Sequence, residues 1–495
     1  MSDTIFQAAA LVADPYVLWV CFAAAVFGIF VGAMPGLTAT MATALLVPIT
    51  FFMEPVPAIG AIVTATAMAI FAGDIPGAML RIPGTPASAA YTEEAYRLSR
   101  KGLLGQTLGV NLVFSVAGGL VGVAILIVAA PVLAEIALNF SSFEYFWLAG
   151  LGLTCAIFIA QSDALKGFTA LLIGLAIATI GIDPTAGHPR FTFGSVEMLQ
   201  GISFIPAMIG LFALSELLRG VVTIDQVGEM LQQQVGNIFR GIGQVWRRYW
   251  RNFVRGSMIG TGIGALPGAG ADIAAWISFA VSKRFSKEPE KFGTGHIEGI
   301  VDSTSANNAA VGSAWIPALV FGIPGDSITA IVIGVLYMKN MNPGPAVFLQ
   351  NPQLIYAVFI IFILANLMML PIGWAAIKLA RQILRTPRNI LVPLILLFCI
   401  VGAYAMTNSV YGIIIMLALG VFGWILEENG FPIGPIILGM VLGELFEQSF
   451  MTSMIKADGS LLGFFSRPIA AALGVITLSL WAYMLTRSLW KRERA

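Results

Sequence analysis

Apolar residues dominate this chain in long runs, many near the roughly 17–25 residues that a helix needs to cross the hydrocarbon layer. In the first half they lie at Pro15–Met34, Met41–Phe52, Ala58–Ala72, Thr107–Leu133, Phe143–Ala160, Leu165–Ile182 and Phe204–Leu218. In the second half they lie at Tyr356–Leu379, Ile390–Met406, Gly412–Leu426, Pro432–Phe446 and Pro468–Leu485. Backbone polar groups cannot stay unpaired in lipid, so spans must be helices or closed strands. No ten-residue alternation of polar and apolar positions recurs, so the pattern predicts helices. The expected fold is an all-α polytopic membrane protein with about 10–14 membrane-embedded helical segments.

The interruptions carry as much information as the runs. Asp302-Ser303-Thr304-Ser305-Ala306-Asn307-Asn308 sets amides, hydroxyls and an acid at the head of an apolar stretch that ends in Gly322-Ile323-Pro324-Gly325. Ile316-Pro317, five residues, Ile323-Pro324-Gly325 repeats a design already present at Ile75-Pro76 and Ile82-Pro83-Gly84, 241 positions earlier (75 to 316). A second pattern, Gly28-x3-Gly32-x2-Pro35-Gly36, returns as Gly260-x3-Gly264-x2-Pro267-Gly268, 232 positions later (28 to 260). Two extended patterns in the same order argue for an internal duplication. The expected organisation is a first transmembrane repeat at 1–222, a basic linker at 223–252, and a second repeat with C-terminal spans at 253–495.

The linker reads as an interfacial helix. Arg247, Arg251 and Arg255 share one face, and Trp246, Trp250 and Phe253 lie on the adjoining one, a mixture suited to anionic headgroups.

Charge placement gives each repeat a direction, because basic residues flank cytoplasmic ends. Asp3 and Asp14 precede the first Gly motif, whereas Arg247, Arg248, Arg251 and Arg255 precede the second. Glu54 follows the first Pro-Gly helix; Lys283, Arg284 and Lys287 follow the second. After the Ile-Pro-Gly elements the order reverses, with Arg97, Arg100 and Lys101 in the first half and Lys339 in the second. The copies are therefore expected to be inverted in the membrane, with the N-terminus outside and the C-terminus inside. Inverted repeats whose broken helices meet near the midplane are a recurring transporter design.

Composition agrees with a membrane protein and excludes other classes. The chain has 495 residues, 58% hydrophobic and 11% charged, and too few charges to solvate an exterior. Its net charge of +1 is uninformative. Cys21, Cys155 and Cys399 lie far apart in apolar runs, as packing residues do. His188 and His296 are single, so no metal site is expected. Glu216 with Arg219, and Asp163 with Lys166, have the spacing of helix-end pairs. The N-terminus has no basic n-region or cleavage site, so the first span is expected to stay. Nothing resembles a nucleophile–base pair, a Walker loop or a nucleic-acid surface; no enzyme and no nucleic-acid partner is expected.

The breaks themselves suit binding. Pro ends helical pairing and Gly permits the turn that follows. A helix restarting after such a break offers free N–H donors to an anion. Pro35, Gly36, Thr38 and Thr40 form the first candidate element, and Pro83, Gly84, Thr85 and Ser88 the second. Pro267, Gly268 and Gly270 are the counterparts of the first; Pro324 and Gly325 are those of the second. Ser305, Asn307 and Asn308 add hydroxyl and amide groups, which are costly in a membrane unless partnered. Asp74, Asp272, Asp302 and Asp326 are candidates for holding a coupling cation, Na+ or H+. Two simpler uses remain open: Gly-x3-Gly suits a helix-packing face, and Pro-Gly suits a plain turn.

These motifs, together with Asn342-Pro343-Gly344-Pro345 and Gly434-Pro435-x3-Gly439-x3-Gly443, resemble those of the TctA family, the large membrane subunits of tripartite tricarboxylate transporters. The resemblance covers essentially the whole chain. It implies a bacterial inner-membrane carrier that imports carboxylates on a sodium or proton gradient. It also implies two partners, a small four-span membrane subunit (TctB-like) and a periplasmic solute-binding protein (TctC-like). Two positions depart from the family pattern. Thr304 stands where a Glu commonly precedes Ser-Ala-Asn-Asn, and Glu94-Ala95-Tyr96 stands in place of Asp-Gly-Tyr. Asp302 is the nearest acid in sequence that could replace the missing Glu, though two helical positions turn it to another face.

Overall fold

The computed structural model describes residues 2–159, 164–183, 186–222, 235–268, 270–385 and 388–492. Those residues are largely helical, with one short antiparallel strand pair, Gly181–Ile182 against Pro189–Arg190. Among the described residues, six helices are long and apolar enough to span a membrane, and six further apolar helices have 10–17 residues. This is an all-α, multi-pass membrane protein.

In the first half, α1 (Ser2–Val12) precedes α2 (Pro15–Ala33). Asp14 caps α2 by accepting from Tyr16 N at 2.7 Å, and Pro15 takes the helix-start position where no N–H is needed. The Pro35-Gly36 break separates α2 from α3 (Ala39–Phe51). Gly36 has φ of 84°, left-handed backbone that favours glycine. Thr38 Oγ1 then caps α3 by accepting from Met41 N at 3.2 Å. Next, α4 (Pro55–Ala72) kinks at Gly73 into α5 (Asp74–Leu80). Then come α6 (Thr92–Leu98), the long α7 (Leu104–Ala137), α8 (Ser142–Ile159) and α9 (Ala164–Ala178). The half closes with α10 (Phe204–Met208), a widened turn at Ile209–Leu214, and α11 (Ser215–Val222).

The second half also carries a Pro-Gly break and a kinked central helix. Here α12 (Ile242–Gly264) and α13 (Gly270–Phe285) flank the second Pro-Gly break, and α14 (Ile297–Ser313) kinks at Ala314 into α15 (Trp315–Phe321). It continues with α16 (Ser327–Met338), α17 (Val347–Gln350), α18 (Pro352–Leu384), α19 (Arg388–Thr407), α20 (Val410–Glu428), α21 (Ile433–Lys456) and α22 (Pro468–Arg492).

The correspondence extends to atomic detail. A Cβ on Gly28 or Gly32 would strike the backbone of Ala65 or Ala69 in α4. A Cβ on Gly260 or Gly264 would strike that of Ala306 or Ala310 in α14. These alanines are 241 positions apart in each case (65 to 306, 69 to 310). The kinks at Gly73 and Ala314 share that offset, as do the left-handed stops at Arg81 (φ 62°) and Gly322 (φ 68°). The Gly-x3-Gly faces are thus helix-packing faces, and small residues there let backbones touch.

Helices α4 and α14 sit at the centre: Val56–Ala72 and Glu298–Ser313 are buried at every position. The halves exchange supports around them. Helix α7 packs on α14 and α18 packs on α4, while α8 and α9 pack on α21, and α10 packs with α19 and α20. Outward faces expose Trp19, Phe22, Leu367, Trp374, Leu397, Phe398, Ile414 and Val421, as a lipid-facing surface requires.

The basic stretch is continuous with the second repeat's first helix, and Trp246, Arg247, Arg248, Trp250 and Arg251 are exposed. Residues 223–234 lie outside the described residues, and 242–252 run directly into the Gly260 segment as one helix, α12, broken at Tyr249. Trp246 stacks on Phe114 of α7 at 5.0 Å between ring centroids, and Phe253 packs on both rings. Two of the three aromatics therefore join helices within the protein. Trp250 remains exposed, with Arg251 over its ring at 5.4 Å. Asp163 also lies outside the described residues, and Lys166 Nζ donates to the Asn429 carbonyl at 2.7 Å.

Candidate functional site

Both kinds of break converge on one cavity of about 420 Å³. From the first half, Gly36, Thr38, Thr40, Pro83, Gly84 and Thr85 line it. From the second, Gly268, Gly270, Asp272, Asn307 and Asp326 line it. Residues 241 and 232 positions apart thus meet across a shared space.

Close backbone approach builds the walls. Gly84 N donates to Gly73 O at 3.1 Å. A Cβ on Gly84 would come within 2.6 Å of Gly73 Cα and 3.0 Å of Gly32 O. Gly268 N donates to Pro324 O at 3.2 Å, which ties the two breaks of the second half together. Each Ile-Pro-Gly element is followed by a reciprocal cap. Thr85 N donates to Ser88 Oγ, and Ser88 N donates to Thr85 Oγ1, both at 3.1 Å. Asp326 N donates to Thr329 Oγ1 at 2.8 Å, and Thr329 N donates to Asp326 Oδ1 at 2.7 Å. A capping box fixes the first helical turn and satisfies two backbone donors, so these turns are held rigid beside the cavity. A bond between halves completes the wall: Ala87 N donates to Asp272 Oδ1 at 3.0 Å.

Other residues singled out in the sequence lie behind the wall. Pro35, Pro267, Pro324 and Gly325 shape the breaks without lining the cavity, and Ser88 is the cap just described. Gly325 packs against Ala314, whose carbonyl oxygen would be 2.8 Å from an added Cβ. Ser305 is fully buried where Gly118 of α7 crosses α14. Asn308 ties the same helices, its Nδ2 donating to Ser115 Oγ at 2.9 Å and to Thr304 O at 3.0 Å. Asp74 is buried beneath the cavity and accepts from the Tyr91 hydroxyl at 2.5 Å.

Asp302 is placed differently from a cation site beside Asn307. Its carboxylate accepts from Arg255 Nε at 3.0 Å, Arg255 Nη2 at 2.6 Å, Asn252 Nδ2 at 2.8 Å and Ser282 Oγ at 2.7 Å. Such a buried, bidentate and fully bonded carboxylate locks α12 and α13 to α14. It lies on a different face of α14 from Thr304, as their two-residue helical offset requires.

The cavity also recruits residues that carried no motif. Glu216 and Arg219 of α11, Glu427 of α20, and Gly434, Pro435 and Leu438 at the start of α21 line it. Arg219 pairs with Glu428 at 3.8 Å. The signals were weak: a helix-end pair for Glu216 and Arg219, and a Gly-Pro dipeptide for α21. The lining therefore includes Asp272, Asp326, Glu216 and Glu427 against Arg219. The space thus sets helix starts and the Asn307 amide beside an excess of acidic side chains.

The family profile described as "Tripartite tricarboxylate transporter TctA family" matches residues 18–438. The chain belongs to the TctA family. As a TctA protein it is similar to a relative from Agrobacterium vitis described as "Uncharacterized 52.8 kDa protein in TAR-I ttuC' 3'region". The two are 33% identical over 463 residues, 94% of this chain and 92% of the relative. Another from the same organism, "Uncharacterized protein in TAR-II ttuC' 3'region", is 34% identical over 208 residues, 42% of this chain and 86% of that relative. No solved structure matches the chain.

The two departures from the TctA pattern now have locations. Glu94 is buried, and its carboxylate accepts from the backbone N–H of Gly293, of Gly295 at 2.7 Å and of His296 at 2.7 Å. It clamps the loop that leads into α14, so the first half holds the base of the second half's central helix. Thr304 faces the Tyr91 hydroxyl beside Asp74. The acid near Asn307 thus comes from the opposite half of this TctA chain and not from Asp302.

Proposed function

We propose that this chain is the large transmembrane subunit of a binding-protein-dependent, ion-gradient-driven importer of carboxylates. The observation that carries the reading is the shared cavity, where two Pro-Gly breaks, the first-half Ile-Pro-Gly element and the start of α16, and the Asn307 amide meet at the centre of an apolar bundle. Restarting helices supply N–H donors to carboxylate oxygens, and Asn307 supplies both a donor and an acceptor. TctA membership supports a small four-span subunit and a periplasmic solute-binding protein as partners. The bacterial inner membrane is then the location.

A panel of citrate, succinate and malate, delivered by the cognate binding protein to proteoliposomes holding both membrane subunits, tests this. Uptake is expected only with the binding protein present and a sodium or proton gradient imposed. Equal uptake without the binding protein, or without either gradient, sinks the reading.

The inverted-repeat reading adds an orientation, with the N-terminus periplasmic and the C-terminus cytoplasmic. Reporter fusions at the two ends should report opposite sides; the same side for both contradicts inversion. A purely structural role has one observation in its favour, the packing of all four motif glycines on α4 and α14. It leaves the cavity and its amide unexplained.

A further inference from the structure

Beneath the cavity floor lies a group of buried oxygen atoms that the packing does not satisfy. Asp74 opens α5 with 2% of its surface exposed. Its Oδ1 accepts from Tyr91, but its Oδ2 has no hydrogen-bond partner among the described residues. Thr304 and Asn307 of α14 face the same Tyr91 hydroxyl. Even so, Thr304 Oγ1 and both amide atoms of Asn307 lack a partner of hydrogen-bond geometry among the described residues. Tyr91, Thr304 and Asn307 are each no more than 1% exposed. Tyr91 is the titratable neighbour, and no Lys, Arg or His forms an ion pair with Asp74 among the described residues.

A buried carboxylate without a counter-charge is costly, and buried hydroxyls and amides are normally paired. A proton on Asp74 would neutralise the charge and turn Oδ2 into a single donor, enough for one of the acceptors Thr304 Oγ1 and Asn307 Oδ1 but not for both. A metal cation would collect all of these oxygens at once. One carboxylate balances one positive charge, and an all-oxygen set suits a hard ion. We infer that Asp74, Tyr91, Thr304 and Asn307 form a sodium-ion site that bridges the two halves beneath the cavity.

The site deepens the transport reading, because its occupant would be the coupling ion. Asn307 is shared between ion and cavity. With its Oδ1 turned to the cation, its Nδ2 faces the cavity as a donor to an anion, so each ligand prepares the site of the other. The duplication does not make a second copy: Trp315 stands 241 positions after Asp74 (74 to 315). One ion per chain is expected here.

The test uses the purified full-length chain in detergent, with no transport required. Thermal unfolding is followed while NaCl replaces KCl or choline chloride at constant ionic strength. A ligand that binds the folded state raises Tm saturably. The expected result is a sodium-specific rise in Tm that Asp74→Asn abolishes. Thr304→Val keeps the shape and removes one ligand, and should raise the half-effective sodium concentration about tenfold; it serves if Asp74→Asn does not fold. An equal response to sodium, potassium and choline overturns the inference. So does a sodium response retained in Asp74→Asn, an unchanged half-point in Thr304→Val, or a Tm that moves with pH but not with sodium. Sodium binding in a protein that fails every uptake assay would sink the transport reading and leave the ion site standing.

Discussion

Asn307→Ala should abolish carboxylate uptake while the protein still inserts and assembles. The side chain is almost fully buried, lines the cavity and faces the Tyr91 hydroxyl, and among the described residues neither amide atom has a partner of hydrogen-bond geometry. Its removal leaves the Tyr91 hydroxyl bonded to Asp74, and alanine is the better helix former inside α14. What disappears is a hydrogen bond to a charged ligand, worth about 1.5–3 kcal/mol, or about tenfold to more than a hundredfold in affinity. The adjacent Asn308→Ala is the contrast. It deletes the bonds to Ser115 Oγ and Thr304 O that join α14 to α7. A lower folded yield is expected there, with uptake per folded molecule much less affected. Size-exclusion yield and initial uptake rates separate the two outcomes. Normal uptake by Asn307→Ala would remove the residue from the site.

Gly260→Val should leave almost no folded protein, whereas Gly262→Ala in the same helix should be tolerated. A Cβ on Gly260 would land on the Ala306 carbonyl, and backbone cannot swing aside as a side chain can. Helices α12 and α14 would have to part along their whole shared face, including the Arg255–Asp302 bond. That cost exceeds the roughly 1–3 kcal/mol of ordinary overpacking. A Cβ on Gly262 meets nothing within 4 Å, and Gly to Ala inside a helix gains about 0.8–1.0 kcal/mol. Detergent-solubilised yield and Tm read both variants. A well-folded Gly260→Val protein would show that the close approach of these helices is dispensable.

These contrasts mark what the sequence disclosed. The helix breaks were legible because their signals are local: Gly and Pro at fixed spacing impose a turn, as at Gly36 and Gly268. The reciprocal caps at Thr85/Ser88 and Asp326/Thr329 follow from short-range chemistry of the same kind. Asp302 was legible as a buried acid but not as the partner of Arg255, because that pairing depends on how α12 lies against α14. Trp246 and Phe253 looked interfacial, and a Trp/Arg face alone does not disclose that both rings also pack on Phe114, while Trp246 stays 37% exposed. Glu216, Arg219 and Glu427 reached the cavity through the packing of α11 with α19 and α20, and no spacing rule encodes that. The missing acid before Ser305 illustrates the same limit. A search along the chain points to Asp302, whereas the fold brings Asp74 from about 230 residues away.

The cavity as a carboxylate site is tested most directly by protection of Ser327, which lines it at the start of α16. Ser327→Cys would be made in a chain whose Cys21, Cys155 and Cys399 are replaced by Ser. Its rate of reaction with a small maleimide is then measured with and without a carboxylate that the intact system imports. Occupancy of the cavity should slow labelling in a concentration-dependent way, and Asn307→Ala should remove the protection. A labelling rate unchanged at saturating carboxylate would contradict binding in this cavity.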